Sequence, residues 1–141
     1  MKAVVYLRIA SILTLIHAVL HTAGGVFGKT PPGPASVALE AMRANQFVFM
    51  GASRNLWEFY RGMGLAVTIF LTIEGIVFWQ LGSLAKSGAR LRPVLAAFAV
   101  AYVAMAVNSY YYFFTAPVVV ELLIAACLVM AMAKMKVAVA E

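Results

Sequence analysis

The sequence predicts an all-α integral membrane protein: a four-transmembrane-helix bundle with an extra amphipathic helix in the outer loop between helices 1 and 2. Three observations point there. Of 141 residues, 65% are hydrophobic and only 11% are charged, and mean hydropathy is +0.95, well outside the range of a soluble domain. Apolar runs near the length of about 20 residues needed to cross a bilayer fall at about residues 3–24, 57–82, 93–114 and 116–134. Basic residues collect at alternate ends of these runs, as the positive-inside rule requires.

The first run follows Lys2 and contains Arg8. A cleaved signal peptide is not expected, because His21 stands at the minus-three position of the only plausible cut, after Ala23. Residues 25–56 form the one long connection. Its opening, GGVFGKTPPGP, is too rich in glycine and proline for regular structure. The rest, SVALEAMRANQFVFM, predicts a helix capped by Ser36, with Val37, Ala41, Met42 and Phe49 on one face and Glu40 and Arg43 spaced for contact. Such a helix would lie on the outer face, as a shield or as a lid.

Lys2, Arg8, Lys86, Arg90, Arg92, Lys134 and Lys136 mark the inner side, whereas Lys29, Arg43, Arg54 and Arg61 are dispersed over the long connection. Both termini are therefore expected in the cytoplasm, and residues 1–141 form a single transmembrane domain. The net charge of +6 follows from this asymmetry, so nucleic acid is not an expected partner. A lone Cys127 excludes an intramolecular disulfide. No aspartate is present for a nucleophilic triad, and no phosphate-binding loop occurs.

Ionisable groups within hydrocarbon cost about 2.5–3.5 kcal/mol each on insertion scales, so each needs a partner, water or a task. His17 and His21, four apart, share one face of the first helix. Arg54, Glu58 and Arg61 follow the i, i+4, i+7 pattern of the second, so Glu58 is expected to pair with both arginines. Asn108 and Tyr110, Tyr111 and Tyr112 close the third helix, and Glu121 lies early in the fourth. All four helices thus bring polar groups to the outer half, which predicts an outward-facing polar cavity formed by His17, His21, Arg54, Glu58, Arg61, Asn108, Tyr111 and Glu121. Glu74 is rotated about 160° from Glu58 and lies deeper, so it is expected to face another helix, an oligomer contact or lipid.

Each signal has a plain structural reading beside the functional one. His17 and His21 have the spacing of two metal ligands or of an axial haem ligand and its neighbour, yet no third histidine exists, and hydrogen bonding between helices explains them as well. His21 with Glu58 or Glu121 has the composition of an acid–base pair acting on a hydrophobic substrate. Trp57, Tyr60 and the three tyrosines read as an interfacial belt. Gly24, Gly25, Gly62 and Gly64 read as points of close helix approach.

The elements HTAGG at 21–25, G-x-x-R-x-x-x-E-F-Y-x-G-x-G from Gly51 to Gly64, and FWQLGSLAK ending at Lys86 resemble a family of short four-helix bacterial membrane proteins, broadly DoxX-like. That family tends to carry aspartate where Glu58 stands, a shorter arm with the same charge. The resemblance implies a bacterial inner-membrane protein, loosely associated with redox systems and without a settled activity. The expected function is binding of a lipid-like or small hydrophobic ligand, with acid–base chemistry left open. A non-catalytic accessory subunit with a membrane-protein or homo-oligomeric partner, and haem or metal binding, are the other readings.

Overall fold

The computed structural model describes residues 2–135; Lys136, one of the charges used for orientation, lies outside the described residues. The order of elements is α1 (Ala3–Leu20), a π-helical turn (His21–Val26), α2 (Pro34–Ala44), β1 (Gln46–Phe49), β2 (Ala52–Asn55), α3 (Leu56–Leu84), a 3-10 turn (Ala85–Ser87), α4 (Arg92–Tyr112) and α5 (Thr115–Ala133). Among the described residues four helical stretches are long and apolar enough to cross a membrane: Ala3–Val26, Leu56–Ser87, Arg92–Tyr112 and Thr115–Ala133. Their bounds agree with the hydropathy runs to within a few residues.

The chain divides into two compact units, one from residues up to His17 together with those from Leu71 onward, the other Ala18–Phe70. In the first unit, segments of all four long helices share one apolar core. Leu7 and Ala10 come from α1, Phe78 and Leu81 from α3, Leu95, Ala99 and Tyr102 from α4, and Ile124, Ala125 and Leu128 from α5. Small residues on α4 and α5 let their backbones approach closely, as expected where hydrophobic transfer gives no net drive between helices in lipid. Phe78 anchors the core, with Phe98 edge-on at 5.0 Å and Tyr102 tilted at 6.0 Å.

Two small hydroxyls in this core are bonded to backbone carbonyls. Ser11 donates to the Gly75 carbonyl at 2.6 Å, and Thr14 donates to Ala10 one turn back at 2.9 Å. Gly75 also makes room for Leu15: a Cβ there would stand 2.7 Å from Leu15 side-chain atoms. The Arg8 guanidinium lies 3.5 Å from the Trp79 ring centroid and donates to Ser83 Oγ at 2.9 Å. An arginine in an apolar helix is thus held by a π face and a hydroxyl.

The second unit departs from the sequence expectation. Its helix starts at Pro34, not at Ser36, and Gly33 is the preceding residue. Proline suits the first helical position because its missing N–H would be unbonded there. Ser36 is the third helical residue; its hydroxyl accepts from the Gly33 N–H at 3.1 Å and donates to the Gly33 carbonyl at 2.8 Å. The helix ends at Ala44, so Phe49 is not on its face. Gln46–Phe49 instead pairs antiparallel with Ala52–Asn55, with Gln46 opposite Asn55 and Phe49 opposite Ala52. Met50 and Gly51 make the two-residue turn with φ of 49° and 83°, the left-handed pair that matches strand twist in a tight hairpin. Phe47 and Phe49 both pack on Phe59, at 5.9 and 5.7 Å between ring centroids. Arg43 lies over Trp57 at 4.7 Å, so the contact it makes is with that ring.

A candidate amphiphile groove in the second unit

Arg54 lies on β2 and Glu58 in the first turn of α3. The three-residue ladder read from the sequence assumed that helix 2 already ran through Arg54; because the helix starts at Leu56, the i, i+4 relation is lost. Glu58 has another task. Its Oε2 accepts from the Asn55 N–H at 2.9 Å, and the Glu58 N–H donates to Asn55 Oδ1 at 2.9 Å. This reciprocal arrangement satisfies donors left over at a helix start. Its signature, Asn55-x-x-Glu58, is in the sequence and went unread there.

Arg61 points elsewhere, its guanidinium 4.9 Å from the centre of the Phe27 ring. Arg54 Nη1 donates to the Ser53 carbonyl at 2.7 Å, which leaves the other donors of its fork free of described partners. Arg54 and Glu58 together line a groove of about 350 Å³ whose remaining walls are Phe59, Gly62, Met63 and Ala66. The groove therefore has a charged head, at the hairpin and helix start, and an apolar body along one face of α3. Gly62 leaves that face open, since nothing lies within 4 Å of where its Cβ would stand.

His21 is the first residue of the π-helical turn. Its Nε2 lies 3.0 Å from the Gly64 carbonyl; a carbonyl only accepts, so Nε2 carries the proton. A Cβ on Gly25 would meet the same ring at 3.4 Å, and a Cβ on Gly64 would meet Val26 at 3.0 Å. Gly64 thus serves close approach between two segments, whereas the neighbour of Gly25 is His21 of its own turn, and Gly24 and Gly62 face open space. Thr22 and Thr68 share a hydrogen bond of 2.9 Å in the same region. His21 and Glu58 are each engaged locally and form no acid–base couple in this unit.

The other sequence candidates belong to the first unit. His17 is half-buried on α1, and Asn108 and Tyr111 are exposed on α4. The buried polar residue of that turn is their neighbour Ser109, whose hydroxyl donates to Glu121 Oε1 at 3.0 Å; Glu121 itself is only 2% exposed. Glu74 does face another helix, accepting from the Tyr102 hydroxyl at 2.7 Å. Ser109 and Tyr102 were not singled out because a serine and a tyrosine among apolar residues carry no periodic signal.

Among the described residues, no group of three or more His, Cys, Asp or Glu side chains could hold a metal ion. Compared with family models, with curated proteins and with solved structures, the chain matches none. What defines it is the class: a helical protein with four stretches able to span a membrane, carrying an amphipathic groove beside a hairpin.

Proposed function

We propose that this is a small membrane protein that binds a single-chain, lipid-like ligand in the groove headed by Arg54 and Glu58. The observation that carries the reading is the composition of the 350 Å³ groove, one guanidinium and one carboxylate at one end and Phe59, Met63 and Ala66 along the rest. Arginine's fork matches a carboxylate or phosphate head, and the unbonded Glu58 Oε1 can accept from a hydroxyl beside it. The acyl chain lies along α3. Acid–base chemistry draws no support from this geometry, so binding is the activity proposed.

We place the protein as a transmembrane bundle in a bacterial inner membrane with cytoplasmic termini, on the distribution of Lys and Arg between the two sides and on the DoxX-like resemblance. A photoactivatable diazirine fatty acid tests the groove. Labelling concentrated on Phe59, Met63 and Ala66 supports the reading; labelling spread evenly over the lipid-facing residues of all four long helices contradicts it.

A further inference from the structure

Three lysines from three separate segments of the first unit line one cavity of about 590 Å³: Lys2 just before α1, Lys86 in the 3-10 turn after α3, and Lys134 at the end of α5. Among the described residues the remaining walls are Ala3, Val4, Ala85, Gly88, Ala89 and Met135, with no carboxylate among them. The positive-inside rule explains why these charges share a side of the membrane. It does not explain why three of them share one hollow, since mutual repulsion favours their spreading apart.

Two neighbouring cations, Arg8 and Arg92, differ in this respect. Arg8 is held by Trp79 and Ser83, and Arg92 donates to the Met135 carbonyl at 2.8 Å, closing the end of α5. Among the described residues, no hydrogen bond or ion pair engages the ammonium groups of Lys2, Lys86 or Lys134. Ala3 and Val4, which also line the cavity, open α1, where first-turn amides lack a carbonyl one turn earlier. The helix start therefore adds backbone donors and a positive partial charge to the same space. Gly88 turns the chain with a φ of 80°, a left-handed conformation that glycine adopts without strain and that returns the backbone from Lys86 towards α4.

We propose that this cavity binds a phosphate-bearing anion, clamped by Lys2, Lys86 and Lys134. Strongly hydrated ammonium groups on flexible stems suit a phosphate approached from several sides. The volume accommodates a headgroup, and basic hollows between membrane-spanning helices are sites where phospholipid heads lodge. Two sources share this chemistry, an anionic phospholipid of the surrounding leaflet and inorganic phosphate from solution. The site is independent of the Arg54 groove.

Native mass spectrometry of the protein in detergent, doped with phosphatidylglycerol or phosphatidylcholine, tests the proposal. The wild type is expected to retain phosphatidylglycerol in preference to phosphatidylcholine. Combining Lys2→Gln, Lys86→Gln and Lys134→Gln should lower that retention by about a hundredfold, from about fivefold per lysine. Lys29→Gln, in the long connection, should leave it unchanged. Retention that survives added inorganic phosphate assigns the site to the lipid head; displacement by phosphate assigns it to the free ion, and either upholds the proposal. Equal retention of the two lipids, or full retention by a triple variant that melts like the wild type, overturns it.

Discussion

The Tyr102 hydroxyl donates a 2.7 Å hydrogen bond to Glu74 Oε2, tying α4 to α3 inside the core of the first unit. Thr14 Oγ1 stands 3.3 Å from the same phenol oxygen, but its one proton goes to the Ala10 carbonyl at 2.9 Å. With each hydroxyl's proton already committed, the Thr14 contact is the weaker of the two. Tyr102→Phe should therefore lower stability by about 1–2 kcal/mol, while Thr14→Val should change it by less than about 0.5 kcal/mol. Thermal unfolding in detergent measures both. Equal losses would mean that the threonine contact is a full member of the network.

The reciprocal bonds between Asn55 and Glu58 make a second, separable prediction. Glu58→Ala should cost about 1 kcal/mol and raise hydrogen exchange at the Asn55 amide, because that donor loses its acceptor. Glu58→Gln keeps a side-chain oxygen in place and should hold both stability and amide protection near wild type. The pair of variants distinguishes a capping oxygen from a requirement for charge.

Glycines at helix contacts should respond according to what a Cβ would meet. Gly75→Ala places a carbon 2.7 Å from Leu15 Cγ and Cδ2 and should destabilise by about 1–3 kcal/mol, as overpacking does. Gly62→Ala meets nothing within 4 Å and should stabilise α3 by up to about 1 kcal/mol through helix propensity. Unfolding midpoints of the two variants decide the order.

Met50 adopts a φ of 49°, an unfavourable conformation for a side chain of that kind. Met50→Asn should slow exchange at the Phe49 and Ala52 amides, the pair that closes the two-residue turn, by up to about fivefold, since asparagine tolerates the left-handed region. No change would place the stability of the hairpin in its packing on Phe59 rather than in its turn.

The four long helices were legible because about 20 apolar residues in succession is a strong signal, insensitive to tertiary contacts. The hairpin was not. QFVFM reads as the end of a helix because good helix formers precede it without a break, although Phe47 and Phe49 alternate just ahead of Gly51, a turn residue. Arg54 and Glu58 stand out in the sequence as charges beside an apolar run, but their relation depends on the helix boundary, and a shift of two residues at a helix start changes which side chains share a face. Ser109, Tyr102 and Gly75 could be found only from the packing, since each acquires its role from a residue far away in the chain.

The most direct test of the Arg54 groove is the mass of the gently solubilised protein with added palmitate, compared between wild type and Arg54→Gln. Arg54 is exposed and donates to the adjacent Ser53 carbonyl, so the variant should fold and melt like the wild type. The account predicts one bound fatty acid on the wild type, reduced about tenfold or more in Arg54→Gln, and unchanged when Lys2, Lys86 and Lys134 are replaced by glutamine. Equal binding by wild type and Arg54→Gln would contradict it and leave Arg54 as a surface charge beside a hairpin.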